Sequence, residues 1–141
     1  MKRLAAAVFT LGAVALLIAL VPGPVLAADA PADRVLAMYF HRTQRCPTCL
    51  KMGSYSEEAV KQGFAQQIKD GKVAFYYIDF QNPKNAALAK AYKVEGPALI
   101  VAKVVGKKVV EFKDLDEIWM KVRDKPAFLK YVREHVAAYL Q

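Results

Sequence analysis

Apolar runs of strand length recur along the chain, and segments whose apolar residues repeat at helical spacing separate them. The runs cover Val35–Phe40, Val73–Ile78, Ala98–Val105 and Lys108–Phe112. The first run is apolar throughout, which is typical of a strand buried on both faces. Gly106 and Lys107 form a turn signal, so the last two runs are predicted to form a hairpin. Tyr76 and Tyr77 are expected to be packing residues near the surface.

The longest helical segment follows the first apolar run and extends to about Asp70. Its apolar residues recur at spacings of three to five, and Gly71 then stands where a glycine commonly ends a helix. Gly53 and Gly63 interrupt this segment. They indicate a bend or a close approach of another element.

Two further helices are predicted. A short one covers 84–92, and its expected inner face comprises Ala87, Leu88 and Ala91. Asp124 and Pro126 are expected to start a terminal helix. Its apolar stripe comprises Phe128, Leu129, Val132, Val136 and Leu140. The order β-α-β-α-β-β-α predicts an α/β sandwich with a mixed central sheet of four strands.

The residues that carry chemistry lie between the first strand and the first helix. Cys46 and Cys49 are the only cysteines of the chain, and two residues separate them. Pro47 suits the first position of a helix, which places Cys46 at the N-cap and Cys49 one turn on, along the same face. The helix N-terminus favours a thiolate at Cys46. This spacing predicts a redox-active pair that closes into a disulfide.

Neighbouring residues can modify this pair. Arg42 and Arg45 lie close in sequence and add positive charge that favours a thiolate. His41 could act as a base or a metal ligand near Cys46, although a polar residue at a strand end is the favoured interpretation. An inert structural disulfide is the weaker alternative, because a gap of two residues constrains little of the unfolded chain.

The metal-binding alternative is a two-thiolate copper(I) site at Cys46 and Cys49, since soft thiolates suit that ion. His135, the only histidine besides His41, lies on the terminal helix and is expected at the surface. A zinc site with four protein ligands is not predicted. No cofactor is expected otherwise. Two classes therefore stay open: a thiol–disulfide oxidoreductase, and a non-enzymatic copper(I)- or partner-binding module.

Residues 1–27 have the pattern of a secretory signal peptide. Two basic residues precede an uncharged apolar stretch over 4–20, and a Pro-Gly-Pro turn and small residues follow. Cleavage there leaves a flexible lead-in over 28–33 and one domain over 34–141. The sequence therefore predicts export, with the periplasm as the expected location, or a membrane anchor if the signal is not cleaved.

The chain carries a formal net charge of +8 at pH 7. Its basic residues are spread along the sequence, which is typical of solvated faces, and nucleic acid is not an expected partner of an exported chain. The expected partners are a protein or small-molecule disulfide or dithiol, and a membrane electron donor. The protein is expected to be a monomer.

The chain resembles the thioredoxin-like superfamily. The resemblance begins with the first strand, the run Cys46-Pro47-Thr48-Cys49 and the following helix. It continues through the second strand, the alanine-rich short helix and Val94–Ile100, and so covers essentially all of 34–141. It implies a thioredoxin-like three-layer sandwich. It also implies that Cys46 is the nucleophile and Cys49 the resolving thiol.

The same resemblance makes Pro97, preceded by Gly96, the candidate for the family's cis-proline that faces the disulfide. The chain departs from thioredoxin itself at two positions of the site. Arg45 stands where an aromatic residue usually precedes the first cysteine, and Phe40 stands where thioredoxin has a buried acid. The group that deprotonates Cys49 is therefore unassigned.

A narrower resemblance concerns the run Tyr-Phe-His-Arg-Thr-x-Arg-Cys-x-Thr-Cys. It is similar to a group of bacterial thioredoxin-like proteins labelled nitrophenyl-compound nitroreductase subunits. That label implies little about chemistry, because nothing in the sequence resembles a flavin or nicotinamide site.

Overall fold

The computed structural model of the chain describes residues 33–141. The elements are β1 (Asp33–His41), α1 (Pro47–Gly63), α2 (Ala65–Lys69), β2 (Val73–Asp79), a 3-10 turn (Pro83–Asn85), α3 (Ala86–Ala91), β3 (Ala98–Val105), β4 (Lys108–Asp114), α4 (Ile118–Lys121) and α5 (Lys125–Tyr139). The predicted signal peptide lies outside the described residues. So does the predicted lead-in, except for its last residue, Asp33, which begins β1. Within this range, no helix has both the length and the apolar character needed to cross a bilayer.

The four strands form one mixed sheet in the order β2-β1-β3-β4. Strand β1 runs parallel to β2 and antiparallel to β3, which in turn pairs antiparallel with β4. The two central strands, β1 and β3, are buried over most of their length, which explains their nearly continuous apolar sequences. The predicted fold class, a thioredoxin-like α/β sandwich with a mixed sheet of four strands, is confirmed.

Helices cover both faces of the sheet and create two cores. On one face α1 and α5 pack against Tyr39 of β1, and the buried residues include Met52, Val60, Phe128 and Val132. The other face packs against α3, and its buried residues include Phe40, Tyr92 and Ile100. These two cores separate three layers. The sheet therefore holds the carboxyl end of β1, where the cysteines follow, between packed helices.

The long predicted helix is divided in two. Phe64 leaves helical geometry, with φ −133° and ψ 34°, and it separates α1 from α2 directly after Gly63. Gly71 has a φ of 72°, which glycine adopts without a steric penalty, and it follows the end of α2. The predicted bend and the terminating glycine are both confirmed.

The expected inner face of the short helix is wrong. Ala89 and Tyr92 are buried, whereas the side chains expected inside are exposed: Ala87, Leu88 and Ala91. The α-helical part has only six residues and follows a 3-10 turn. Four of the six residues of α3 are alanines, and small apolar side chains on every side leave the pattern without a clear inward face.

Candidate redox site

Cys46 and Cys49 are joined by a disulfide at the N-terminus of α1, and their Cα atoms lie 5.1 Å apart. Cys46 is the N-cap, with φ −73° and ψ 160°, and Pro47 takes the first turn, as the sequence predicts. The amide N–H of Cys49 donates to Cys46 Sγ at 3.1 Å. Cys46 is exposed and Cys49 is 7% exposed. A partner can therefore reach the first sulfur but not the second.

Tyr39 lies beneath the buried cysteine. Its hydroxyl donates to the carbonyl of Cys49 at 2.8 Å, and its side chain is fully buried in the α1–α5 core. Burial raises the pKa of Tyr39 to about 12, although the nearby charge of Arg45 opposes the shift. The phenol is therefore neutral at ordinary pH and acts as a donor. The first turn of α1 is thereby tied to β1 directly behind the disulfide.

Arg45 is held by two aromatic rings. Its Nη2 lies 2.9 Å from Nε2 of His41, and its guanidinium carbon lies 5.0 Å from the centre of the Tyr77 ring. His41 Nδ1 lies 2.9 Å from the carbonyl oxygen of Arg42. Since a carbonyl only accepts, Nδ1 carries the proton and Nε2 accepts from Arg45. His41, 7% exposed, thus positions Arg45, and its acceptor nitrogen is already in use.

Tyr77 belongs to the site, although the sequence indicates only a packing role. Its hydroxyl donates to Glu57 Oε2 at 3.0 Å, and Glu57 also pairs with Lys61. Burial, followed by the hydrogen bond to Glu57, raises the pKa of Tyr77 to about 12. The hydrogen bond from Lys61 is the main cause that lowers the pKa of Glu57. The parallel pairing of Tyr39 with Tyr77 brings this ring to the site.

A second group that sequence reasoning missed fixes the loop before the cysteines. Thr43 Oγ1 donates to Asp79 Oδ2 at 2.7 Å, and the Thr43 amide donates to Gln81 Oε1 at 3.0 Å. The Gln81 amide in turn donates to Asp79 Oδ1 at 2.9 Å. The Thr43 hydrogen bond is the main cause that lowers the pKa of Asp79. This contact joins the carboxyl ends of β1 and β2. The sequence feature that could have indicated it is Asp79, an acidic residue at the end of β2.

The bond before Pro97 differs from the family feature implied by the resemblance. No peptide bond within residues 33–141 is cis, so the link from Gly96 to Pro97 is trans. The trans form is the intrinsic preference of a bond to proline, by about 0.5–1 kcal/mol. Pro97 nevertheless lies at the disulfide end of the sheet, because Ala98 pairs with Phe40 near the end of β1. The expected cis geometry is therefore corrected to trans.

Phe40, at the place of the family's buried acid, packs in the α3-side core, whereas Cys49 belongs to the opposite core. The polar group directly behind Cys49 is the hydroxyl of Tyr39. The position of the family's acid is therefore taken by an apolar side chain that packs on the opposite side of the sheet from Cys49. The proton acceptor for Cys49 stays unassigned among these side chains.

Among residues 33–141, no group of three or more His, Cys, Asp or Glu side chains is gathered so that it could hold a metal ion. His135 is engaged elsewhere: its Nδ1 lies 3.0 Å from the Tyr131 carbonyl and its Nε2 lies 3.0 Å from Lys113 Nζ. It is only partly exposed, so the expected surface position holds in part.

No family model matches the chain, and no curated protein matches it. Among solved structures, the chain is similar to the solution structure of a thioredoxin from Thermus thermophilus. The two are 21% identical with a TM-score of 0.47, and the match covers 72% of this chain and 73% of that one. These comparisons lend no support to the narrower resemblance to nitroreductase subunits. What the described residues show is a thioredoxin-like α/β fold that carries a Cys-x-x-Cys disulfide at the N-terminus of its first helix.

Proposed function

We propose that this protein is a thiol–disulfide oxidoreductase in which Cys46 is the nucleophile and Cys49 the resolving thiol. The observation that carries the proposal is the asymmetry of the pair. Cys46 is exposed at a helix N-cap, whereas Cys49 is buried one turn later and hydrogen-bonded through its amide to Cys46 Sγ. In such an arrangement the exposed Cys46 sulfur exchanges with the partner, either as the attacking thiolate or as the attacked disulfide sulfur. The buried Cys49 then resolves the mixed disulfide.

The proposed reaction exchanges two electrons between this pair and a partner. In the reduced protein the Cys46 thiolate attacks a partner disulfide, forming a mixed disulfide and releasing one partner thiolate, which takes a proton from water. The Cys49 thiolate then attacks Cys46 Sγ, which closes the intramolecular disulfide and releases the second partner thiolate. The partner is thereby reduced and the protein oxidised, and the reverse sequence oxidises a dithiol.

The surroundings of Cys46 support an oxidising pair. A thiolate there would accept the Cys49 amide N–H, lie at the positive end of α1 and have Arg45 next to it in the chain. Groups that stabilise the thiolate stabilise the reduced form, and this raises the reduction potential. We therefore expect a potential nearer to roughly −120 to −200 mV than to roughly −270 mV.

The proposed setting is outside the cytoplasmic membrane, and the support for it is the signal-peptide pattern of residues 1–27. A Cys-x-x-Cys pair in an oxidising compartment rests as a disulfide until a partner reduces it. The proposed partners are accordingly a protein or small-molecule disulfide or dithiol, together with a membrane electron donor. The protein is proposed to act as a monomer.

The test is redox equilibration against glutathione, read out by thiol alkylation and mass. Wild type is expected to reach one potential from both the reduced and the oxidised side. Cys49→Ser is the matched control for the second step, because it should retain a stable mixed disulfide on Cys46. Cys46→Ser should form little mixed disulfide, because Cys49 is buried. If wild type does not equilibrate from either side, the redox proposal is wrong and stoichiometric copper(I) binding becomes the hypothesis to test.

A further inference from the structure

We propose that Arg45 is a specificity-determining residue, which binds an anionic group of the thiol or disulfide partner beside Cys46. The inference rests on the proposed function and adds the chemical class of the partner. It follows from three features of the described residues. Arg45 is held in one orientation, most of its hydrogen-bonding capacity is unused, and the carboxylates that could neutralise it are engaged elsewhere.

The orientation of Arg45 comes from the contacts described above. Nε2 of His41 accepts one hydrogen bond, and the ring of Tyr77 lies beneath the guanidinium. A long side chain normally loses rotamer freedom when it binds a ligand, which weakens binding. Here the two rings have already removed much of that freedom. Arg45 is therefore organised for recognition before a partner arrives.

The remaining donors of Arg45 have no partner within residues 33–141. A guanidinium carries several N–H donors in a planar fork. In this part of the chain Arg45 makes a single side-chain hydrogen bond, to His41, and no ion pair with a carboxylate. Its side chain is only partly buried, so solvent or a ligand can reach it. The guanidinium thus has unused donors on the residue that directly precedes the reactive cysteine.

The carboxylates that border this place already have partners. Glu57 accepts from Lys61 and Tyr77. Asp79 accepts from Thr43 and from the amide of Gln81. Hydrogen bonds to these other donors hold both carboxylates, and neither forms an ion pair with Arg45 in the described residues. The positive charge of Arg45 is therefore not neutralised by a direct contact. The exposed Arg42 adds a second cation to the same loop without an ion pair in the described residues.

A group that fits such a fork is a carboxylate or sulfonate, because planar guanidinium donors bind these anions through two parallel hydrogen bonds. Since Arg45 directly precedes Cys46 in the chain, the anion is proposed to lie near the reactive sulfur of the partner. The partner is therefore a thiol or disulfide with an anionic group close to sulfur. This chemistry occurs in small anionic thiols and in acidic residues flanking a protein cysteine.

The first experiment measures how fast matched monothiols reduce the oxidised protein. The thiolate attacks Cys46 Sγ, a mixed disulfide forms, the Cys46–Cys49 bond breaks, and Cys49 leaves as a thiolate. The probes are 2-mercaptoethanesulfonate, 2-mercaptoethanol and cysteamine, which are anionic, neutral and cationic, and each rate is divided by the thiolate fraction. We expect the anionic probe to react about tenfold faster than the cationic one. The difference should shrink as salt screens the charge.

Two variants separate local recognition from overall charge. Arg45→Gln should reduce the ratio of the anionic to the cationic rate several-fold. Lys107→Gln removes the same charge from the exposed turn between β3 and β4 and should leave the ratio unchanged. That turn follows Val105, which pairs with Asp33 at the far end of β1, about 27 Å from its carboxyl end at the usual strand rise. An equal effect of both variants overturns the proposal.

His41 is tested as a positioning residue for Arg45. His41→Leu removes the acceptor and should lower the same rate ratio, whereas His41→Gln supplies an amide oxygen and should restore part of it. The unfolding free energy of each variant is measured alongside, because His41 is buried. A purely structural role would change stability without changing the ratio. If the ratio of the anionic to the cationic rate is the same in both variants and in wild type, His41 does not position Arg45 for recognition.

A second set of probes identifies the source of the anion. Reduced protein is mixed with glutathione disulfide and with short disulfide-linked peptides that carry Glu, Gln or Lys beside cysteine. Faster reaction of the Glu peptide than of the Gln and Lys peptides indicates an acidic protein segment, and a preference limited to glutathione disulfide indicates a small anionic thiol. Equal rates for all probes overturn the specificity proposal but leave the oxidoreductase intact. No reaction with any probe overturns the proposed function itself.

Discussion

Gly53 offers a sharp test of how closely α1 approaches the sheet behind the disulfide. A Cβ added at this position would lie 2.9 Å from Cε1 of both Tyr39 and Tyr77, and 3.1 Å from Cδ1 of Tyr39. Real Cβ atoms do not approach other heavy atoms as closely as 2.9 Å, so something must move. Tyr77 is partly exposed and can yield, but Tyr39 is fully buried and tethered to the Cys49 carbonyl. Gly53→Ala therefore has two opposite effects on the unfolding free energy: the higher helix propensity of alanine raises it, and the crowding against Tyr39 lowers it.

The two opposing contributions can be compared. Alanine in place of glycine inside a helix stabilises by about 1 kcal/mol when nothing else changes. Overpacking a well-packed core costs about 1–3 kcal/mol, and the rigid neighbour here places the cost near the middle of that range. We expect Gly53→Ala to lower the unfolding free energy by about 1 kcal/mol. For a domain of this size the melting temperature should fall by about 4–8 °C.

Chemical and thermal unfolding of the oxidised protein measure this change, and Gly63→Ala is the matched control on the same helix. The three heavy atoms nearest to a Cβ at Gly63 belong to the Arg133 side chain, at 3.0–3.2 Å, and this partly buried chain can move by giving up its hydrogen bond to the Ala59 carbonyl. The gain in helix propensity of up to about 1 kcal/mol is opposed by the loss of the Arg133 hydrogen bond to the Ala59 carbonyl, so the control should stay within about 0.5 kcal/mol of wild type. A Gly53→Ala variant that gains about 1 kcal/mol, as at an exposed helical glycine, would refute the close approach.

Three further predictions follow from the hydrogen bonds of the site. Tyr39→Phe should lower the unfolding free energy by about 1–2 kcal/mol, because the buried carbonyl of Cys49 loses its donor; chemical denaturation measures it. The pKa of Asp79 lies below its ordinary 3.8, so its contribution to stability is present above pH 3.8 and is lost as pH falls through the lower folded pKa. The melting temperature of Asp79→Asn should therefore fall less than that of wild type when the solution is acidified. Burial raises the pKa of Tyr39 and Tyr77 from 10.0 to about 12, so their contribution to stability is complete below pH 10 and is lost between pH 10 and about 12. An ultraviolet titration should show part of the tyrosinate absorbance forming only near pH 12, and Tyr77→Phe should lack a share of that part.

Local patterns were sufficient for most of the fold. The run Ala98–Val105 coincides with β3, and the run Val35–Phe40 lies inside β1, because central strands need apolar residues on both faces. The N-cap at Cys46 was equally predictable, since Pro47 and the cysteine spacing act within one helical turn. Short helices were less predictable. With alanines on every side of α3, the apolar pattern did not identify Ala89 as the buried position.

The parts of the site that the sequence did not reveal depend on pairing between strands. Tyr77 meets Arg45 only because β2 lies parallel to β1 with Tyr77 opposite Tyr39. The contact of Thr43 with Asp79 joins residues 36 positions apart and depends on the same pairing. Neither register can be read from periodicity, since a strand pattern fixes which face a residue occupies but not its neighbour across the sheet.

The two departures from thioredoxin act in the same direction once the site is assembled. The position of the buried acid is taken by the apolar Phe40, and the hydroxyl that contacts the Cys49 carbonyl belongs to the neutral Tyr39, so neither residue places a negative charge near Cys49. Where an aromatic residue was expected, Arg45 adds a cation, and His41 and Tyr77 hold it in place. Removing a negative charge and adding a positive one both stabilise the reduced pair. A measured potential near roughly −270 mV would therefore contradict the electrostatic reasoning even if the disulfide exchange itself were confirmed.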